Sequence, residues 1–260
     1  MSDPRAPLSN SLADTLAQDT TIVTAWSTMA VPAVVELLAR AGYGAVTLDM
    51  QHGAHDIASV RDGIAAAVLG GAAALVRPPV DDFATVSRAF DLGAQGVIMP
   101  MVNSVDDALA LVAAAKYPPL GARSWGPHRA AMLQGVTLDD YHRAANRAAV
   151  VFAMIETPAA VAALDDILAV EGLDGVFIGP ADLSLTLSDG AEIAPGAERV
   201  QTLAGEVAAK ARAAGKHAGI YTNSVEDARR AKAMGFQLIA HGSDAGIVLE
   251  TAGRMARDLD

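Results

Sequence analysis

Several side chains in this sequence stand at the ends of short apolar runs, where reactive groups are useful. Glu156 closes Val-Val-Phe-Ala-Met-Ile, and Asp182 follows Gly-Val-Phe-Ile-Gly-Pro-Ala. Two carboxylates placed this way could hold a hard divalent cation through oxygen, with water and substrate in the remaining positions. A 2-oxo acid could chelate such a cation through its carboxylate and keto oxygens, which lowers the cost of forming the adjacent enolate. A purely structural reading serves the same residues, with Glu156 paired to an arginine and Asp182 capping the next helix.

Arg77 ends Ala-Ala-Leu-Val-Arg. Its guanidinium there offers fixed donors to a developing enolate oxygen, or a salt bridge that closes the fold. His52 is the best-placed general base, because an imidazole titrates near neutrality and Asp49, three residues earlier, could orient it. Among the other histidines, His55 and His142 are expected to be exposed and His217 to start a strand. His128 and His241 are weaker alternates. The four lysines, Lys116, Lys210, Lys216 and Lys232, fall on predicted helices or in the turn before a strand. A Schiff-base mechanism needs a desolvated lysine at the site, so the spacing favours a metal route. The segment 241–246, His-Gly-Ser-Asp-Ala-Gly, reads either as a phosphate cradle or as a plain strand-to-helix turn.

These residues need a scaffold, and the periodicity supplies one. Eight β-branched or apolar runs are predicted as strands: Ile22–Trp26, Ala45–Met50, Ala73–Arg77, Gly96–Met101, Val150–Glu156, Gly175–Gly179, Ala218–Thr222 and Leu238–His241. Alanine-rich stretches of helical spacing lie between them, among them Pro32–Ala41, Ile57–Leu69, Phe83–Leu92, Val105–Lys116, Pro158–Val170, Glu198–Ala214 and Val225–Met234. Eight strands alternating with helices over 260 residues predict an α/β fold, a (β/α)8 TIM barrel in one domain over 1–260, with 1–20 as a lead-in segment. An open doubly wound sheet is the alternative. In a barrel the reactive groups belong at the C-terminal ends of the strands, where Asp49, His52, Arg77, Glu156, Asp182, Ser243 and Asp244 collect. The segment Tyr117–Gly135 is the largest irregular stretch.

Composition excludes several classes. The chain has no cysteine, so disulfides, thiolate nucleophiles and thiolate metal sites are out. A formal net charge of -11 argues against a nucleic-acid partner. No apolar run is long enough for a membrane helix and the start is polar and acidic, which predicts a cytoplasmic protein with no membrane partner.

The string Val176–Ser184 (VFIGPADLS), with Val170–Gly175 before it and Met154-Ile-Glu-Thr157, resembles the HpcH/HpaI aldolase family. The likeness runs through Trp26, Asp49–Gly53, Val76–Pro78, Asp91–Ala94, Pro100–Val102, Lys116–Pro119 and Gly121–Arg123 to Asp244. It implies a class II pyruvate aldolase on a barrel of the phosphoenolpyruvate/pyruvate type, using Mg2+, Mn2+ or Co2+. The resemblance further implies Glu156 and Asp182 as metal ligands, Arg77 on the keto oxygen and His52 as acid/base with Asp49 nearby. It makes Asp91 a catalytic residue that reaches a neighbouring subunit's site in a homo-oligomer, a hexamer. The backbone of Gly179, Pro180, Ala181 and Asp182 would bind the substrate carboxylate, with Trp26 and Arg123 also substrate-binding. The chain departs from many members at Met50-Gln51-His52 and at Met154, where Gly-Glu-His and Gln are usual.

The expected reaction is reversible cleavage of a 4-hydroxy-2-oxo acid to pyruvate, or a hydroxypyruvate-like analogue, and an aldehyde, with specificity for the aldehyde placed in Ser124–Arg129. Two alternatives stand beside it. A CoA-thioester lyase, like the citrate lyase β and malyl-CoA groups, would need cations for the CoA phosphates, for which Arg123 and Arg129 are the candidates. A non-catalytic binder of 2-oxo acids would keep the metal and carboxylate sites without turnover.

Overall fold

The computed structural model describes residues 11–258. Eight parallel strands close into a barrel in sequence order, β1 Ile22–Ser27, β2 Ala45–Asp49, β3 Ala73–Arg77, β4 Gly96–Met99, β5 Val150–Ile155, β6 Gly175–Ile178, β7 His217–Thr222 and β8 Leu238–Ser243. Every predicted strand is present, and the open-sheet alternative is ruled out by the pairing of β8 with β1. Strand ends differ from expectation by a residue or two, and β8 runs on to Ser243.

Alternation along each strand sends one set of side chains to the barrel axis and the other to the helices. The inward set forms its own cluster, including Ile22, Leu75, Ile98, Phe152, Phe177 and Leu238. The outward set, Val46, Leu48, Val76, Val97, Val151 and Ile178 among it, packs against the helical ring. Small side chains make this possible: with few rings in the chain, alanine-rich helix faces approach the strands closely.

The lead-in segment is more than a lead-in. A helix at Leu12–Ala17, capped by Ser11 in a capping box with Asp14, buries Leu12 and Leu16 in the inward cluster. It stoppers the barrel on the side away from the strand ends, and Gln95 Oε1 accepts from the Leu12 N–H at 2.8 Å to hold it. Residues 1–10 of that segment lie outside the described residues. The irregular segment Tyr117–Gly135 contains a short helix, His128–Leu133. The stretch expected as one helix over Pro158–Val170 is two, Pro158–Ala162 and Leu164–Leu168, meeting at Ala163.

Candidate active site

Following the inward positions of β1 to β3 upward leads to Trp26, Asp49 and Arg77, each four residues beyond an inward residue at the barrel's lower end. Asp49 and Arg77 are register partners across β2 and β3. Arg77 Nε donates to Asp49 Oδ1 at 2.8 Å and Nη2 to Oδ2 at 2.6 Å. Both residues are buried, and the guanidinium lies 4.9 Å from the centroid of the Trp26 ring. Trp26 Nε1 donates to Asp49 Oδ2 at 3.2 Å. Burial pushes the Asp49 carboxyl up, but the hydrogen bonds and charge of Arg77, with the Trp26 donor, outweigh it and the net shift is downward. The salt bridge expected as the structural reading of Arg77 is present. It lies at the top of the barrel and fixes the guanidinium plane, while Nη1 makes no hydrogen bond among the described residues. Trp26 lies in the buried layer beneath this pair.

Glu156 follows β5 and is buried with no ion pair among the described residues. Its Oε1 accepts from the Met101 N–H at 2.8 Å, while its Oε2 is buried without a partner among the described residues. Burial is the largest cause that raises its carboxyl, to about 7, with the charge of Asp182 adding to it and the Met101 N–H and Arg77 opposing. Gly179 leaves the room Oε2 needs: a Cβ there would sit 2.2 Å from that oxygen and 3.0 Å from the Met154 methyl. Asp182 lies in the first turn of the helix Pro180–Leu187, which has no side-chain cap, so the capping role considered for Asp182 is not what it does. Of the Gly179–Asp182 backbone expected to hold a carboxylate, Pro180 has no N–H, leaving the other three as donors.

A buried carboxylate oxygen with no partner costs stability unless something cationic meets it. Glu156 Oε2, faced by a second carboxylate, therefore fits a divalent cation. No group of three or more His, Asp or Glu is arranged for a metal among the described residues. The protein's share would be these two carboxylates, with water or substrate oxygens completing the shell, which is the habit of small hard cations.

His52 is exposed in the turn after β2. Asp49 Oδ1 accepts from its backbone N–H at 3.3 Å and from that of Gln51 at 3.0 Å. Asp49 thus shapes the turn that carries His52; its contact is with the backbone, not the imidazole. His55, expected to be exposed, is buried, and its Nε2 lies 3.0 Å from Ser27 Oγ. Ser27 Oγ donates to Asp244 Oδ2 at 3.0 Å, so the His55 ring must be the donor in its bond to Ser27. Desolvation lowers the His55 pKa, which keeps the ring neutral. Asp244 also accepts from the Thr28 and Met29 N–H groups. A buried anion already sits at the start of the last helix, so the phosphate-cradle reading of 241–246 fails on charge repulsion. The network pins the ends of β1 and β8 to the turn bearing His52. Sequence separation hid it: Ser27 and Asp244 become neighbours only when β8 closes on β1.

The remaining histidines fall where expected or away from the mouth. His142 is exposed and His217 starts β7 with Nδ1 2.8 Å from Gln237 Oε1. His241 lies 3.3 Å from Thr222 Oγ1 on the outward side.

Asp91 and Arg123 form a separate centre. Arg123 Nη2 donates to Asp91 Oδ1 at 2.6 Å, and its guanidinium lies 4.6 Å from the Tyr117 ring centroid and 5.4 Å from that of Phe90. The Arg123 side chain is 0% exposed against 30% for Asp91. Arg123, expected to be substrate-binding, is placed behind Asp91 and bonded to it. No hydrogen bond joins this pair to Arg77, Glu156 or Asp182 among the described residues.

Residues 23–251 match the family described as HpcH/HpaI aldolase/citrate lyase. The chain belongs to this family. As an HpcH/HpaI member it is a carbon–carbon lyase. It is 39% identical over 223 residues to a hydroxypyruvate/pyruvate aldolase of Rhizorhabdus wittichii, covering 86% of this chain and 88% of that one. A 4-hydroxy-2-oxo-heptane-1,7-dioate aldolase of Salmonella paratyphi C is 33% identical, over 96% of this chain and 94% of the relative. The crystal structure of an HpcH/HpaI aldolase from Desulfitobacterium hafniense DCB-2 superposes with a TM-score of 0.87 at 28% identity, covering 95% of this chain and 96% of that one.

Proposed function

We propose that this HpcH/HpaI member is a divalent-metal-dependent aldolase that reversibly cleaves a 4-hydroxy-2-oxo acid to pyruvate, or a hydroxypyruvate-like analogue, and an aldehyde. The observation that carries the reading is the unpartnered buried Oε2 of Glu156 beside Asp182, in a barrel mouth where Arg77 is held rigid. Mg2+, Mn2+ or Co2+ held by Glu156 and Asp182 would supply a Lewis acid to the carboxylate and keto oxygens of the 2-oxo acid.

The chain's own groups do the rest. Arg77, locked by Asp49, presents a donor to the oxygen that gains charge as the C3–C4 bond breaks, and needs no reorientation to do so. The Gly179, Ala181 and Asp182 N–H groups at the helix start hold the carboxylate of the 2-oxo acid. His52, at the exposed rim, takes the proton of the 4-hydroxyl as the aldehyde forms and returns it to C3. In the condensation direction the same proton moves the other way. Trp26 and Met154, both buried, close the floor and keep water from the reacting carbons.

Asp91 stays partly exposed with Arg123 behind it, which suits a carboxylate offered to a neighbouring copy's site. Exposed Leu249 and Met255 on the last helix, Asp244–Arg257, suit a homo-oligomer, which we take to be a hexamer. The CoA-thioester alternative loses one of its two cations, because Arg123 is buried and already paired.

The test is pyruvate release from a panel of 4-hydroxy-2-oxo acids, with and without EDTA and with each metal restored. The expected result is release that EDTA stops and metal restores. CoA-thioester cleavage without any pyruvate release would replace this reading by the alternative.

A further inference from the structure

Glu156 makes a specific demand on its surroundings: one oxygen must be engaged so that the other stays free toward Gly179 and Asp182. We propose that Asn103 is the positioning residue that meets this demand, acting on Glu156 through the peptide of Met101. The inference rests on Glu156 being a metal ligand, as argued above.

Met101 lies in the left-handed region, with φ 56°, although it is not a glycine. A side chain makes that conformation unfavourable, so a peptide held there must be restrained by its neighbours. The restraint is visible. Asn103 Nδ2 donates to the Met101 carbonyl at 2.9 Å, and the Met101 N–H donates to Glu156 Oε1 at 2.8 Å. The other end of the Asn103 amide reaches the loop after β5, where Oδ1 accepts from the Thr157 hydroxyl. Thr157 Oγ1 in turn accepts from the Ala160 N–H at 3.1 Å, so its proton is free for Asn103. The orientation of the amide follows: its oxygen faces Thr157 and its NH2 faces Met101. Asn103 is itself anchored, its N–H donating to Asp107 Oδ2 at 2.9 Å in the first turn of the helix Val105–Ala115.

The amide thus ties the loops after β4 and β5 together on either side of Glu156. Only a group with a donor at one end and an acceptor at the other serves both loops; an aspartate lacks the donor and a leucine lacks both. Released from the clamp, Met101 would relax toward a right-handed backbone and turn its N–H away from Glu156. Oε1 would then compete for the cation with the wrong geometry, and the carboxylate would lose its fixed aim.

The experiment is Mn2+ titration followed by the paramagnetic signal of the free ion, on wild type, Glu156→Gln, Asn103→Leu, Asn103→Ala and the double variant Asn103→Leu/Met101→Asn. The expected loss in Mn2+ affinity for Asn103→Leu is about 10- to 100-fold, the range seen when the group behind a metal ligand is removed. Melting of the metal-free Asn103→Leu protein should stay close to wild type, since Asn103 is only half-buried. Asparagine tolerates the left-handed region, so Met101→Asn should recover part of the loss. Should the leucine variant fail to fold, the smaller Asn103→Ala gives the same reading. Affinity within twofold of wild type for the Asn103 variants, with Glu156→Gln having lost the metal, overturns the role of Asn103 alone. Unchanged affinity in Glu156→Gln overturns the metal assignment and this inference with it.

Discussion

Glu156→Gln should give a folded protein that has lost divalent-dependent turnover and yet, free of metal, is more stable than wild type above neutral pH. The loss follows from removing one of only two carboxylates assigned to the cation. The gain follows from the buried, unpartnered Oε2, because the wild-type carboxylate must ionise in a place that burial makes costly. The sign is set by the raised pKa. In the unfolded chain this group titrates at the ordinary 4.5, and in the folded protein at about 7. Protonated Glu156 therefore contributes fully below pH 4.5, and that contribution is lost as pH rises to and through 7. At ~1.4 kcal/mol per pH unit, the gap amounts to roughly 3 kcal/mol, all of it recovered by a glutamine that never ionises. Urea denaturation of both proteins in EDTA at pH 5 and pH 8 measures it. The gap should be small at the lower pH, half a unit above the unfolded-chain value, and several times wider at the higher, with the variant more stable. Saturating Mn2+ should reverse the order by stabilising wild type alone. In wild type, Mn2+ binding should also release a proton below pH 7 and weaken as pH falls.

Arg77→Leu should lose activity and stability together, and Arg77→Leu/Asp49→Leu should lose activity but less stability than the single variant, the remaining loss coming from the Trp26, Gln51 and His52 donors that Asp49 no longer meets. Removing Arg77 leaves Asp49 buried with the Trp26 donor and two backbone N–H groups but no counter-charge. Breaking a buried pair from one side costs about 3–5 kcal/mol, whereas replacing both members by apolar residues is often close to neutral. The double variant should therefore unfold nearer to wild type than the single one does. Activity cannot be recovered this way, since the donor to the developing enolate oxygen is gone, and the expected fall in kcat is on the order of 10²–10³-fold in both proteins. Equal stability losses in the two variants would mean that the Arg77–Asp49 pair contributes something beyond mutual charge compensation.

Much of this site was readable from the chain because a barrel strand declares its own end. Asp49, Arg77 and Glu156 each interrupt an apolar run at the point where the strand stops or has just stopped, and in a parallel barrel all such points share one face. The residues behind them were not readable. His55 looked like an exposed loop histidine because its partner, Ser27, stands 28 residues away and is itself held by Asp244, which reaches Ser27 only through barrel closure. The pairing of Arg123 with Asp91 was hidden because the sequence does not show Phe90 and Tyr117 enclosing the guanidinium. Asn103 gave no signal, since its importance lies in the backbone of Met101, whose left-handed conformation no propensity predicts. The burial of Leu12 and Leu16 was likewise hidden, because a six-residue helix is too short to announce itself by periodicity.

On the reading proposed, this barrel mouth stabilises the enolate of a pyruvate-type acid with the help of a cation at Glu156 and Asp182. The most direct test of that reading is exchange of the pyruvate methyl protons in deuterated water, followed by NMR with no aldehyde present. Exchange should require Mg2+, Mn2+ or Co2+, stop with EDTA, and be lost in Glu156→Gln and His52→Ala. Absence of exchange under every metal, in a wild-type protein that binds both metal and pyruvate, would contradict it and leave a binder of 2-oxo acids in place of an aldolase.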